Sequence, residues 1–181
     1  MKTIAFGRTA FAITVLVLAV NACALAQNTQ FSGTINAYSP QTKTTGPYEV
    51  RGSWSLTLKG NSGKADFSAA LNMELSDGWV LTLGNGNFDP DARGAHTHHI
   101  TLVDGEVSPF VGANGLKITG VATVTLNGNP APVSPTPIEI DITGGNDVEF
   151  SNVQMIFGSP GSKHFGTEPL PGVVQNVSNV Q

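Results

Sequence analysis

Apolar and polar residues alternate with a period of two through much of the chain. Trp54, Leu56 and Leu58 are interleaved with Ser53, Ser55, Thr57 and Lys59. Ala65, Phe67, Ala69, Leu71, Met73 and Leu75 are interleaved with Lys64, Asp66, Ser68, Asn72 and Glu74. Leu116, Ile118, Ala122, Val124 and Leu126 alternate with Lys117, Thr119, Thr123 and Thr125, and Ile138, Ile140 and Ile142 with Glu139 and Asp141. Successive side chains on a strand point to opposite faces, so each run predicts a strand with one buried and one wet face, as antiparallel sheets have. The next run changes phase: Val148 and Phe150 have one parity, Val153, Met155 and Phe157 the other. A one-residue bulge near Ser151-Asn152 would keep all five in the core.

Turn-forming residues punctuate these runs. Gly60-Asn61-Ser62-Gly63 links two strands, and Asp104-Gly105 and Asn114-Gly115 read as tight hairpins. Asn127-Gly128-Asn129 opens a connection through Pro130, Pro132, Pro135 and Pro137, too rich in proline for a central strand. Gly144-Gly145-Asn146-Asp147 makes a further turn. No helical period stands out after the N-terminal segment. The expected fold is therefore all-β, a single antiparallel β-sandwich or jelly-roll-like domain. Its expected bounds are residues 27–173, with 174–181 as a flexible C-terminal tail.

The first 26 residues predict a different fate. Lys2 and Arg8 precede an apolar stretch, Phe11 to Val20, and Ala24-Leu25-Ala26 places small residues before Gln27. That is the pattern of a cleaved secretory signal peptide, and the apolar stretch is too short to span a bilayer. A secreted or periplasmic location follows as an expectation. The only cysteine, Cys23, lies within this segment, so a chain cleaved after Ala26 has neither disulfides nor thiolate ligands. Val20-Asn21-Ala22-Cys23 loosely resembles a lipoprotein box, the less favoured alternative, because Asn21 stands where a small residue is usual. Removing Lys2 and Arg8 leaves seven basic against thirteen acidic residues, a net charge of −6. With no Lys/Arg cluster, the electrostatic footprint of a nucleic-acid binder is missing, and an anionic membrane surface is disfavoured as a partner.

Candidate chemistry concentrates in Ala95-His96-Thr97-His98-His99-Ile100-Thr101, which holds three of the four histidines. A strand over 97–103 puts His96 and His98 on the face of Ile100 and Leu102, and turns His99 away with Thr97 and Thr101. Two histidines at i and i+2 can share one zinc, copper or iron ion on a β-scaffold. A third ligand is needed, and His164, within the Gly-rich Gly158–Gly166 stretch, is the natural one. His99, Asp89 and Asp91 are possible additional ligands. Three histidines with an open position could activate water or bind a small ligand.

Other readings find less to stand on. Asn85, Asn87, Asp89 and Asp91 alternate as calcium loops do, but Ala92 stands where an EF-hand needs glycine. There is no Gly-x-Ser-x-Gly elbow for a serine nucleophile. Asp66, Glu74, Glu139, Asp141 and Glu149 read as solvent-facing strand positions rather than paired catalytic acids. No complete catalytic signature is present, and no catalytic residue is assigned. Trp54 shares the parity of Leu56 and Leu58 and reads as core, while Trp79, Tyr38 and Tyr48 could stack on a sugar. A metal-free adhesion or carbohydrate-binding module, with a small ligand or glycan as partner, is thus the main alternative to a metal site. His96-Thr97-His98 and Pro160-Gly161-Ser162-Lys163-His164 also resemble fragments of the two cupin motifs, without the Glu of the first and one residue short in the second. That resemblance implies, as a further alternative, a jelly-roll metalloenzyme with a cavity open at the His96 end. The His-x-His pairing is similar to that of copper–zinc superoxide dismutases, but their additional histidines and cysteines are absent.

Overall fold

A computed structural model describes residues 28–39, 48–75, 95–110, 114–144 and 150–180. The main strands are β1 (Asn28–Ser39), β2 (Tyr48–Leu58), β3 (Lys64–Leu75), β4 (His96–Pro109) and β5 (Gly115–Leu126). A two-residue β6 (Asn129–Pro130) is followed by β7 (Thr136–Gly144), β8 (Phe150–Phe157), a single helical turn α1 (Ser162–Phe165) and β9 (Leu170–Val180). All pairings are antiparallel. The order β4-β3-β2-β1-β9-β8-β7-β5 is closed by pairing of β4 with β5, giving an eight-stranded barrel with β6 as a short flap on β5.

The expected all-β class is observed, but the architecture is a closed barrel in place of a sandwich or jelly roll. Neighbouring strands follow one another in sequence, the connectivity of an up-and-down barrel, whereas jelly rolls are built from Greek keys. The reason lies in β4. Asp104-Gly105 does not turn the chain into a hairpin; it forms a bulge within a 14-residue strand. Asp104 takes φ 56°, a left-handed conformation that Asp tolerates better than most residues. Its N–H donates to Asp66 Oδ1 at 2.9 Å. A Cβ at Gly105 would stand 2.7 Å from Leu102 and 2.9 Å from Ile118, so glycine allows the bent strand to press on the core. Bulges raise local twist and bend, and here the bent strand reaches β3 on one side and β5 on the other.

The period-two pattern otherwise maps directly onto inside and outside. Phe31, Ile35, Leu56, Phe67, Leu71, Ile100, Ile118, Ile140 and Ile142 are fully buried in the interior. The outward positions of β3 are Lys64, Asp66, Ser68, Ala70, Asn72 and Glu74, so that face is largely polar, the reverse of a lipid-facing barrel. No helix among the described residues is long and apolar enough to cross a membrane. In β8, Asn152 pairs with Thr143 and Phe150 with Gly144, leaving Ser151 as the extra residue of a bulge. Phe150 then packs edge-on against Phe31 with ring centres 5.1 Å apart. Trp54 is buried, and its indole N–H donates to the Val173 carbonyl at 3.2 Å.

Two further expectations change. Residues 174–180, expected as a loose tail, continue β9 and pair with β1 as far as Asn28–Val180. Their polar side chains are exposed, but backbone pairing needs no apolar face. Asp141, expected in solvent, is only 4 % exposed, and one of its carboxylate oxygens has no hydrogen-bond partner. Burial, and then the charge of Glu139, raise its pKa. The segments holding the expected signal peptide, Cys23, Trp79, Asp89 and Asp91 lie outside the described residues.

Candidate metal centre

Strand direction brings the β1–β2, β3–β4, β5–β7 and β8–β9 connections to one end of the barrel. His96 opens β4 at this end, half-buried, and His98 lies one pleat deeper at 1 % exposure. His99 points outward and is exposed. The third histidine arrives from α1. Phe165 is fully buried and stacks on Phe157 with ring centres 4.2 Å apart and planes 20° from parallel, anchoring this one-turn helix. The preceding turn is pinned to β7 by buried Thr136, whose hydroxyl accepts from the Gly161 N–H at 2.9 Å and donates to the Gly158 carbonyl at 3.0 Å. A Cβ at Gly161 would lie 2.4 Å from that hydroxyl, so only glycine permits the approach. His164 is thereby held over the barrel mouth.

The three rings converge. His164 Nε2 lies 2.9 Å from His98 Nε2 and 3.1 Å from His96 Nε2. Ring centres are 4.8 Å apart for His96–His98, 5.1 Å for His96–His164 and 4.8 Å for His98–His164, close to an equilateral triangle. Three imidazoles bound to one ion through Nε2 at about 2.0–2.1 Å would set their ring centres roughly 5 Å apart. Hydrogen bonding alone serves this arrangement poorly. A single Nε2–H on His164 reaches both neighbours only as a weakened three-centre bond, whereas a cation in the middle satisfies three lone pairs. These three side chains together could hold a metal ion.

The surroundings favour the neutral, ligating form. His98 Nδ1–H donates to the Thr125 carbonyl at 2.8 Å, which leaves its Nε2 lone pair facing His164. A backbone acceptor on the distal nitrogen is the usual way a ligating histidine is oriented. Burial, augmented by the nearby His96 and only partly offset by the Thr125 contact, lowers the pKa of His98 to about 4. Burial, then repulsion from His98 and His96, lowers that of His164 to about 4. Both rings are therefore uncharged at neutral pH.

Tyr48 and Phe165 flank the cluster. Tyr48 stands edge-on to His96, with ring centres 5.2 Å apart and planes at 87°, and 5.9 Å from His164. Phe165 lies 5.0 Å from His98. Burial raises the Tyr48 pKa, which keeps the phenol protonated. Tyr48, a possible sugar contact by sequence, is instead buried beside the histidines. The signal for its true place is there, since counting back by twos from Trp54 through Gly52 and Val50 arrives at Tyr48. No comparable signal marks the Thr136 hydroxyl or the Thr125 carbonyl, because their partners are brought to them only by the tertiary fold.

Comparison of the chain with protein-family models, with curated proteins and with solved structures finds no match. The reading of the site rests on its geometry.

Proposed function

We propose that this is an exported β-barrel protein that holds one transition-metal ion through His96, His98 and His164. The observation that carries the reading is the convergence of three imidazole Nε2 atoms, two from one strand and one from a helix pinned across the barrel mouth. Zinc, copper and iron are the ions whose preferences suit an all-imidazole set. In such a site the ion would polarise a bound water or small ligand, while His98 and His164 are kept neutral by burial and the barrel wall excludes bulk solvent. No described residue is assigned as a catalytic base, so binding is the function proposed and turnover is not.

A metal-free binding module draws support from a different place. At the opposite end of the barrel, Leu58, Val107, Pro109 and Leu116 line a cleft of about 450 Å³. Elemental analysis of untagged protein purified without chelator separates the two readings. Near-stoichiometric zinc, copper or iron, lost in His98→Ala and retained in His99→Ala, is the expected result. A protein that is empty and takes up no added ion would leave the binding module as the better reading.

A further inference from the structure

The donor set has a consequence for what else binds. All three candidate ligands are imidazoles, which bring no negative charge to a bound ion, and no carboxylate joins their cluster among the described residues. A divalent ion held there would keep its double charge in a place where His98 is 1 % exposed and the flanking groups are aromatic. Charge removed from water is costly unless it is compensated nearby. Three protein ligands also leave an ion of the zinc type one position short of its usual four. Charge and coordination number therefore ask for the same thing, a fourth ligand that is anionic.

One side chain with a hydrogen-bonding group borders the cluster. The Tyr48 ring spans the His96–His164 edge of the triangle, and its residue is 6 % exposed. The hydroxyl makes no hydrogen bond to any described residue, although the Tyr48 backbone N–H is satisfied by Ser39 Oγ at 3.2 Å. A phenol can donate one hydrogen bond and accept others, and an anion on the metal is an acceptor without a donor of its own.

We propose, on the basis of the metal reading above, that the fourth position takes a small oxygen anion, a carboxylate or an inorganic oxyanion, and that the Tyr48 hydroxyl donates a hydrogen bond to it. Tyr48 is then a specificity-determining residue, setting the site's preference for oxygen anions over neutral ligands.

Cobalt(II) substitution of the full mature chain tests this, because the visible bands of cobalt respond to its coordination. Wild type is expected to take up one equivalent and to change spectrum saturably on titration with acetate or with inorganic phosphate. Tyr48→Phe, which keeps the ring, is expected to load cobalt equally and to bind acetate about tenfold more weakly, the size expected for one hydrogen bond to a charged group. A cobalt spectrum indifferent to both anions would overturn the anion site while leaving the metal reading intact. Equal acetate affinity in Tyr48→Phe would reduce Tyr48 to packing. Failure of wild type to retain cobalt would remove the metal reading itself, and the anion site with it.

Discussion

The two ends of this barrel solve the problem of an open mouth in opposite ways. The histidine end is closed by chain: α1 drops Phe165 into the interior, and the rings of Tyr48, His96 and His164 pack over it. At the other end the described residues line a cleft and carry ion pairs. Lys59 bridges Asp66 at 2.7 Å and Asp104 at 2.6 Å, and Lys64 pairs with Glu106. Hydrated charges at one end tolerate water, while neutral nitrogen donors at the other are withheld from it. Titratable groups thus respond to the mouth they occupy. The Lys59 pKa is raised by its hydrogen bonds to Asp104 and Asp66, whereas those of His98 and His164 are pushed down by burial.

The sharpest way to break this contrast is acid. The unfolded chain protonates His98 near pH 6.5, but the native protein does not until about pH 4. Between those values the unfolded state holds more protons, so stability falls as pH is lowered through the window and levels off below it. For His98 this amounts to roughly 3 kcal/mol, and His164 acts in the same direction. Urea midpoints of metal-free protein should decline between pH 6.5 and 4; a flat profile would mean that the rings are not withheld from solvent. In His98→Gln the decline should be much shallower.

A smaller effect tests how the histidine end is built. Thr136→Val removes the hydroxyl that holds Gly161 without touching a ring. Metal affinity should fall about tenfold, as expected when a ligand loses its support. The unpaired Gly161 N–H should also cost about 1–3 kcal/mol of stability. Competition with a metallochromic indicator reads the first quantity and denaturant unfolding the second; unchanged affinity would show that α1 is placed by Phe165 alone. The least effect belongs to the other mouth. Lys64→Ala should change stability by less than about 1 kcal/mol and metal uptake not at all, checked by the same two measurements in low and high salt.

How much of this could be read from the chain differs between the wall and the closure. Alternation along β2, β3, β5 and β7 identified the interior residue by residue, and parity alone separated His96 and His98 from His99. Architecture was not legible, because a sandwich and a barrel share the same period of two. Their difference lies in a pairing, β4 with β5, enabled by a bulge at Asp104-Gly105 whose sequence is also that of a hairpin turn. The site was half legible for a similar reason. His-x-His is a local pattern, but the place of His164 depends on Thr136, Gly161 and Phe157 meeting across the barrel mouth. The burial of Asp141 is likewise a tertiary effect, as its strand alternates normally in sequence and pairing sets it between Lys117 of β5 and Gln154 of β8.

Pairing of β1 with β9 places Asn28 beside Val180. Apart from the skip over the two-residue β6, every other seam of the barrel joins strands adjacent along the chain, but this one joins the first and last described strands, and seams of such long separation form late and slowly. The centre is complete only once the barrel mouth has its shape, so a newly made chain passes through an unclosed stage with strand edges open to self-association. A short linker from 180 to 28, with new ends cut at the Gly60–Ser62 turn, would make this seam a local hairpin and hand the end-to-end role to β2 and β3, at the same end of the barrel away from the histidines.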